Sequence, residues 1–145
     1  MKNSSLLEMI IVVVVVFILG WITFNQFNLA AAKSRDVNRK SNLNEVAQAI
    51  RLYYADYNKL PSDVLINSLW GKPWVDQGHS YMATVPKENY LSKEFCYQSS
   101  LDGKTFTLFA ELENKSDPDC RKVEEKCGNQ TYCFVNKLNL VVVKN

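Results

Sequence analysis

The sequence predicts an α+β fold, a long N-terminal helix packed against a small antiparallel β-sheet. Three observations carry that prediction. Residues 9–29 are almost wholly apolar and uncharged, residues 43–57 repeat apolar side chains at helical spacing, and residues 105–112 alternate just after an Asp102-Gly103 pair. The chain has 145 residues, 47% hydrophobic, with 17 basic and 15 acidic side chains and a net charge of +2. That is one domain's worth of residues. A balance so close to neutral gives no electrostatic reason to expect nucleic-acid binding. With 22% charged and 12% aromatic residues, wholesale disorder is excluded.

A helix of ~20 apolar residues crosses ~30 Å of hydrocarbon. Residues 9–29 supply it, with Asn25, Gln26 and Asn28 making the far end polar. Valines at 12–16 are moderate helix formers in water. In lipid, however, a span must satisfy its own backbone hydrogen bonds, so helix remains the reading. Such a segment is a membrane anchor or, with Ala30-Ala31-Ala32 as the cut site, a cleaved secretory signal. Gly20 weakens the helix by ~1 kcal/mol relative to alanine, and it is read as a helix-contact position. Lys33, Arg35, Arg39 and Lys40 follow the span, against Lys2 before it. On charge alone this favours a cytoplasmic C-terminal part, and a longer basic segment upstream would reverse the preference.

Glu8 stands at the threshold of the span, between Leu6-Leu7 and Met9-Ile10-Ile11. A carboxylate at membrane depth costs ~2.5–3.5 kcal/mol on insertion scales, which makes it a functional candidate by default. The bland alternative puts it among the headgroups. No basic residue occurs from Met9 to Ala32, so a counter-ion has to be Lys2, a terminal amine, or a group on another copy of the chain.

The helix continues beyond the span. Leu43, Val46, Ala47, Ile50, Tyr53, Tyr54 and Tyr57 form one stripe, opposite Lys40, Asn44, Glu45, Gln48 and Arg51. Asn58 and Pro61 supply the stop. The simplest picture is one helix of roughly fifty residues, ~75 Å at the usual rise. Its first half, apolar all round, needs lipid or neighbours.

Strands are expected at 95–99, 105–113, 131–136 and 138–143, the first two joined by a two-residue turn at Asp102-Gly103. Phe106, Leu108, Ala110 and Leu112 should face the core, and the sheet of about four strands should pack over the stripe at 43–57. Four cysteines, an even count behind a membrane segment, point to disulfides and an oxidising compartment. With no Cys-x-x-Cys pair, a redox or four-cysteine zinc site is disfavoured. Three connectivities are open. The preferred one joins Cys96 to Cys133 and Cys120 to Cys127, and pairing Cys96 with Cys120 is the rival. His79, between Gly78 and Ser80, reads as a loop residue, and Asp117 and Asp119 as a solvated turn rather than a calcium site. Both N-x-[ST] matches, at Asn114 and Asn129, read as chance. Neither a catalytic constellation nor a metal or cofactor site is visible, so an enzyme is not expected.

Ser4-Ser5-Leu6-Leu7-Glu8, the valine-rich span, and Leu52-Tyr53-Tyr54-Ala55-Asp56-Tyr57-Asn58-Lys59-Leu60-Pro61 resemble the type IV pilin family. The resemblance covers about residues 4–61, and only an outline beyond. It implies a pilin-like fold divided into a leader remnant at 1–3, a helix at 4–57 and an extracytoplasmic β domain at 58–145. It also implies a prepilin-peptidase cut between Asn3 and Ser4, where the family usually has Gly before the cut and often Phe after it. Glu8 would then pair with the N-terminal amine of an adjacent subunit. The implied product is a structural homo-oligomer, held in the inner membrane, then built by the pilus assembly machinery into a cell-surface filament for adhesion, motility or DNA uptake. Trp70-Gly71-Lys72-Pro73-Trp74 is similar to an element of type II secretion pseudopilins, which are the alternative. Both tryptophans are otherwise read as capping the loop against the helix end. A monomeric membrane-anchored binding module is the remaining class.

Overall fold

A computed structural model describes residues 3–120 and 126–139, with side chains placed for all of these except 3–5, 25 and 134–139. The chain divides into two compact units, Met1–Arg35 and Asp36–Asn145, and each is taken by itself.

Helix α1 runs unbroken from Asn3 to Tyr57. It ends where expected. Asn58 takes φ 52° and its N–H donates to Tyr54 O at 2.8 Å, the left-handed cap that asparagine tolerates. A short helix α2, Asp63–Ser68, follows, with the Ser62 hydroxyl accepting from Leu65 N. Next come β1 (Trp74–Asp76), β2 (His79–Met82), β3 (Cys96–Ser99), β4 (Thr105–Ala110), β5 (Lys126–Cys127), β6 (Gln130–Thr131) and β7 (Phe134–Asn139). All pairings are antiparallel: β1 with β2, β5 with β6, and a three-stranded sheet in the order β3-β4-β7.

Among the described residues the sheet therefore has three strands where about four were expected. One strand, β7, replaces the expected pair at 131–136 and 138–143, and residues 140–143 lie outside the described residues. The expected two-residue turn at Asp102-Gly103 is a four-residue loop instead. Ser100 and Thr105 pair through Ser100 N to Thr105 O at 2.9 Å, and Gly103 takes φ 65°. A true two-residue hairpin occurs at Gln77-Gly78, both with positive φ, between the partners Asp76 and His79. His79 accordingly opens a strand rather than lying in a loop, and its ring rests on Tyr81 with centroids 4.7 Å apart.

Within the second unit the α1 stripe faces the sheet. Leu43, Val46, Ala47, Ile50 and Tyr53 are buried with Tyr97, Phe106, Leu108 and Ala110, while Tyr54 and Tyr57 are only half-buried at the margin. Trp74 packs against Tyr53 near the helix end, with centroids 5.5 Å apart. Trp70 stacks edge-on against Phe95 at 5.7 Å and belongs to the same buried cluster. Phe109, on the sheet's other face, is also buried, beneath Cys127 and Tyr132.

The disulfides are Cys96–Cys127 and Cys120–Cys133, correcting the preferred pairing. The reason is strand order. Cys96 lies on β3 opposite Phe109, whereas Cys133 directly precedes β7, whose Phe134 lies opposite Ala110. With β4 between them the two are two strand spacings apart, ~9.5 Å. A disulfide spans Cα atoms of at most ~7 Å. The β5–β6 hairpin brings Cys127 to Cys96 with 6.3 Å between Cα atoms.

Candidate functional site

The first unit offers one chemical feature, a helix whose apolar side chains have nothing to bury them. Leu6, Leu7, Met9 and Ile10 through Leu19 are all exposed, as are Trp21, Ile22, Phe24, Phe27 and Leu29. Five consecutive valines point to every side of the helix, so no polar face exists in that stretch. This is one helix long and apolar enough to cross a membrane, with a mean hydropathy of 2.8 in its most apolar stretch, none of it buried. The Thr23 hydroxyl donates back to Leu19 O at 2.7 Å. Gly20 leaves open space where a side chain would stand. Glu8 is exposed in this apolar surround. Asn3 and Ser4 begin the helix, and their side chains lie outside the described residues.

The second unit holds a charge cluster that the sequence reading missed. Asp36 and Arg39, one helical turn apart on α1, are both buried. Arg39 grips Glu88 with both faces of its fork, Nε to Oε2 at 2.6 Å and Nη2 to Oε1 at 3.2 Å. Its Nη1 donates to Asp36 Oδ1 and Glu113 Oε1, both at 2.7 Å. Two of the carboxylates also accept from the backbone. Glu88 Oε1 takes the backbone N–H groups of Tyr90 and Leu91, and Asp36 takes those of Glu113 and Asn114. Burial pushes the Glu88 carboxyl up, but the Arg39 hydrogen bond and the two amides outweigh it and hold it below the usual carboxylate range.

The next residue, Lys40, donates from Nζ to Asp117 at 2.8 Å and Asp119 at 2.7 Å. The expected solvated turn is therefore an ion-paired one. Together these contacts fasten two loops, 88–91 and 113–119, to the same stretch of α1. Each charge in them is already paired. Among the described residues no group of three or more His, Cys, Asp or Glu side chains is arranged to hold a metal ion. The only trace in sequence is the i, i+3 spacing of Asp36 and Arg39, because Glu88 and Glu113 are far away along the chain.

Comparison with protein-family models, with curated proteins and with solved structures finds no match to this chain.

Proposed function

We propose that this protein is a structural subunit of a type IV pilus filament, polymerising through the apolar part of α1 with its β domain exposed. The observation that carries the reading is the exposure of about twenty apolar residues around one carboxylate, Glu8. Burying each Val, Leu, Ile or Phe is worth ~1.5–3 kcal/mol, so this surface is untenable in water. Lipid satisfies it in the inner membrane, and copies of the same helix satisfy it in a filament. The filament also supplies what lipid lacks, an amine from the neighbouring subunit to pair with Glu8. The disulfide-closed β domain suits an extracytoplasmic position.

A secretion pseudopilin would use the same helix chemistry in a shorter assembly, and Trp70-Gly71-Lys72-Pro73-Trp74 is the observation that favours it. Electron microscopy of material sheared from cells, with mass spectrometry for this chain, tests the reading. Thin filaments containing the chain are expected. A cell surface without filaments, with the chain confined to membranes as a monomer, would overturn it.

A further inference from the structure

We infer that the apolar part of α1 is too short for an average bilayer, so that bilayer thickness sets how strongly copies of the chain associate in the membrane. A thin bilayer accommodates it as a single helix, and a thicker one drives it against its own copies. This rests on the reading of α1 as a membrane span, and its test needs no filament.

The length that matters is that of the stretch free of strongly polar groups. It runs from Met9 to Phe24, between the carboxylate of Glu8 and the amides of Asn25, Gln26 and Asn28. Its sixteen residues reach about 24 Å at the usual helical rise, against ~30 Å of hydrocarbon. Tilting the helix only shortens that reach. Gaining the missing ~6 Å means drawing in about four more residues. On one side those include Glu8 before Leu6-Leu7 are reached, and on the other they are Asn25, Gln26, Phe27 and Asn28. Either choice puts a carboxylate or amides into hydrocarbon, where polar side chains are costly.

The helix itself gives no escape from this mismatch. It is unbroken through residues 25–28, so no kink or loop carries the amides away from the span. Successive helical residues point about 100° apart. The positions of Asn25, Gln26 and Asn28 therefore spread over nearly half of the circumference, and no single rotation of the helix takes them out of lipid. Phe17, Trp21, Phe24 and Phe27 are each at least 70% exposed, so the same part of the helix has bulky apolar groups to cover. A span shorter than the hydrocarbon responds by thinning the bilayer around it or by oligomerising. Association shrinks the rim of distorted lipid and gives the amides hydrogen-bond partners on another copy. That gain vanishes in a bilayer as thin as the apolar stretch and grows with each ångström beyond it.

The test uses the full chain, carrying a donor or an acceptor dye at its C-terminus, in phosphatidylcholine vesicles at a fixed ratio of chain to lipid. Dimyristoleoyl, dioleoyl and dierucoyl lipids give thin, average and thick bilayers with one headgroup. Resonance energy transfer between copies should rise along that series, the apparent dissociation constant falling by about tenfold from the thinnest to the thickest. Asn25→Leu with Gln26→Leu and Asn28→Leu extends the apolar stretch to Ala32, about 36 Å. This variant should cut the change along the series to about twofold or less. Gln48→Leu, on α1 beyond the apolar stretch, should leave the tenfold change in place, to within about twofold. Equal association in all three lipids, or a thickness dependence undiminished in the triple leucine variant, would overturn the inference while leaving the span itself standing. A chain that alkaline carbonate strips from all three bilayers would overturn the span reading as well.

Discussion

Replacing Arg39 by methionine keeps the length and apolar stem of the side chain and removes its charge. Three carboxylates, those of Asp36, Glu88 and Glu113, then lose their shared cation, with Asp36 and Glu88 almost wholly buried. Breaking a buried ion pair from one side costs ~3–5 kcal/mol, because a charge is left without compensation. Two backbone N–H groups remain on Asp36 and two on Glu88, which places the expected loss at the low end, ~3 kcal/mol. For a unit of this size that corresponds to a melting temperature lower by about 12 °C.

The assay is denaturation of the full chain in detergent, followed by near-ultraviolet circular dichroism. The dependence on pH sharpens it. The Glu88 carboxyl titrates lower when folded than when unfolded, so its contribution is complete above the unfolded value of ~4.3 and fades as pH falls through the folded one. In Arg39→Met the orphaned carboxylates are instead relieved by protonation. The gap between the two proteins should therefore narrow on acidification. A loss under ~1 kcal/mol at neutral pH, or a gap that widens in acid, would refute the placement of Arg39 as the shared cation of a buried cluster.

Other outcomes follow from the same structure. Non-reducing peptide mapping should recover Cys96 with Cys127 and Cys120 with Cys133; with sequence separations of 31 and 13, removing each bridge should cost about 4 and 3 kcal/mol. Asn67 seals the outer edge of β3, its amide donating to Tyr97 O at 2.9 Å and accepting from Tyr97 N at 2.8 Å. Asn67→Leu should thus lose ~2 kcal/mol by denaturant titration. Ile50, wholly buried between α1 and the sheet, should cost ~2–5 kcal/mol when cut to alanine. Lys93 and Lys115 hold the Glu111 carboxyl low against the opposing effect of its burial, so Glu111→Gln should flatten the acid limb of the stability profile.

The features legible in the sequence are those set by local periodicity. Residues at 3.6-residue spacing predicted which face of α1 is buried, and Asn58 announced its end because few other residues accept a left-handed backbone. Alternation along 105–112 predicted Phe106, Leu108, Ala110 and Leu112 as core positions, and all four are buried. What failed depended on partners far away in sequence. The cysteine pairing turns on β4 lying between β3 and β7, which no spacing of cysteines reveals. The Arg39 cluster unites residues from α1 and two loops, and in the sequence its cation looks no different from the other charges that follow the span. Gln77-Gly78 carries a weak hairpin signal because glutamine rarely takes a positive φ, while Asp102-Gly103 carries a strong one but sits inside a longer loop.

Filament assembly through Glu8 is the claim on which the functional reading stands. Sheared filaments should be quantified from cells carrying Glu8→Ala in place of the native chain, alongside the amount of the chain in membranes. Loss of filaments with undiminished membrane protein is the predicted result. Filaments at native yield would contradict pairing of this carboxylate with a neighbouring subunit.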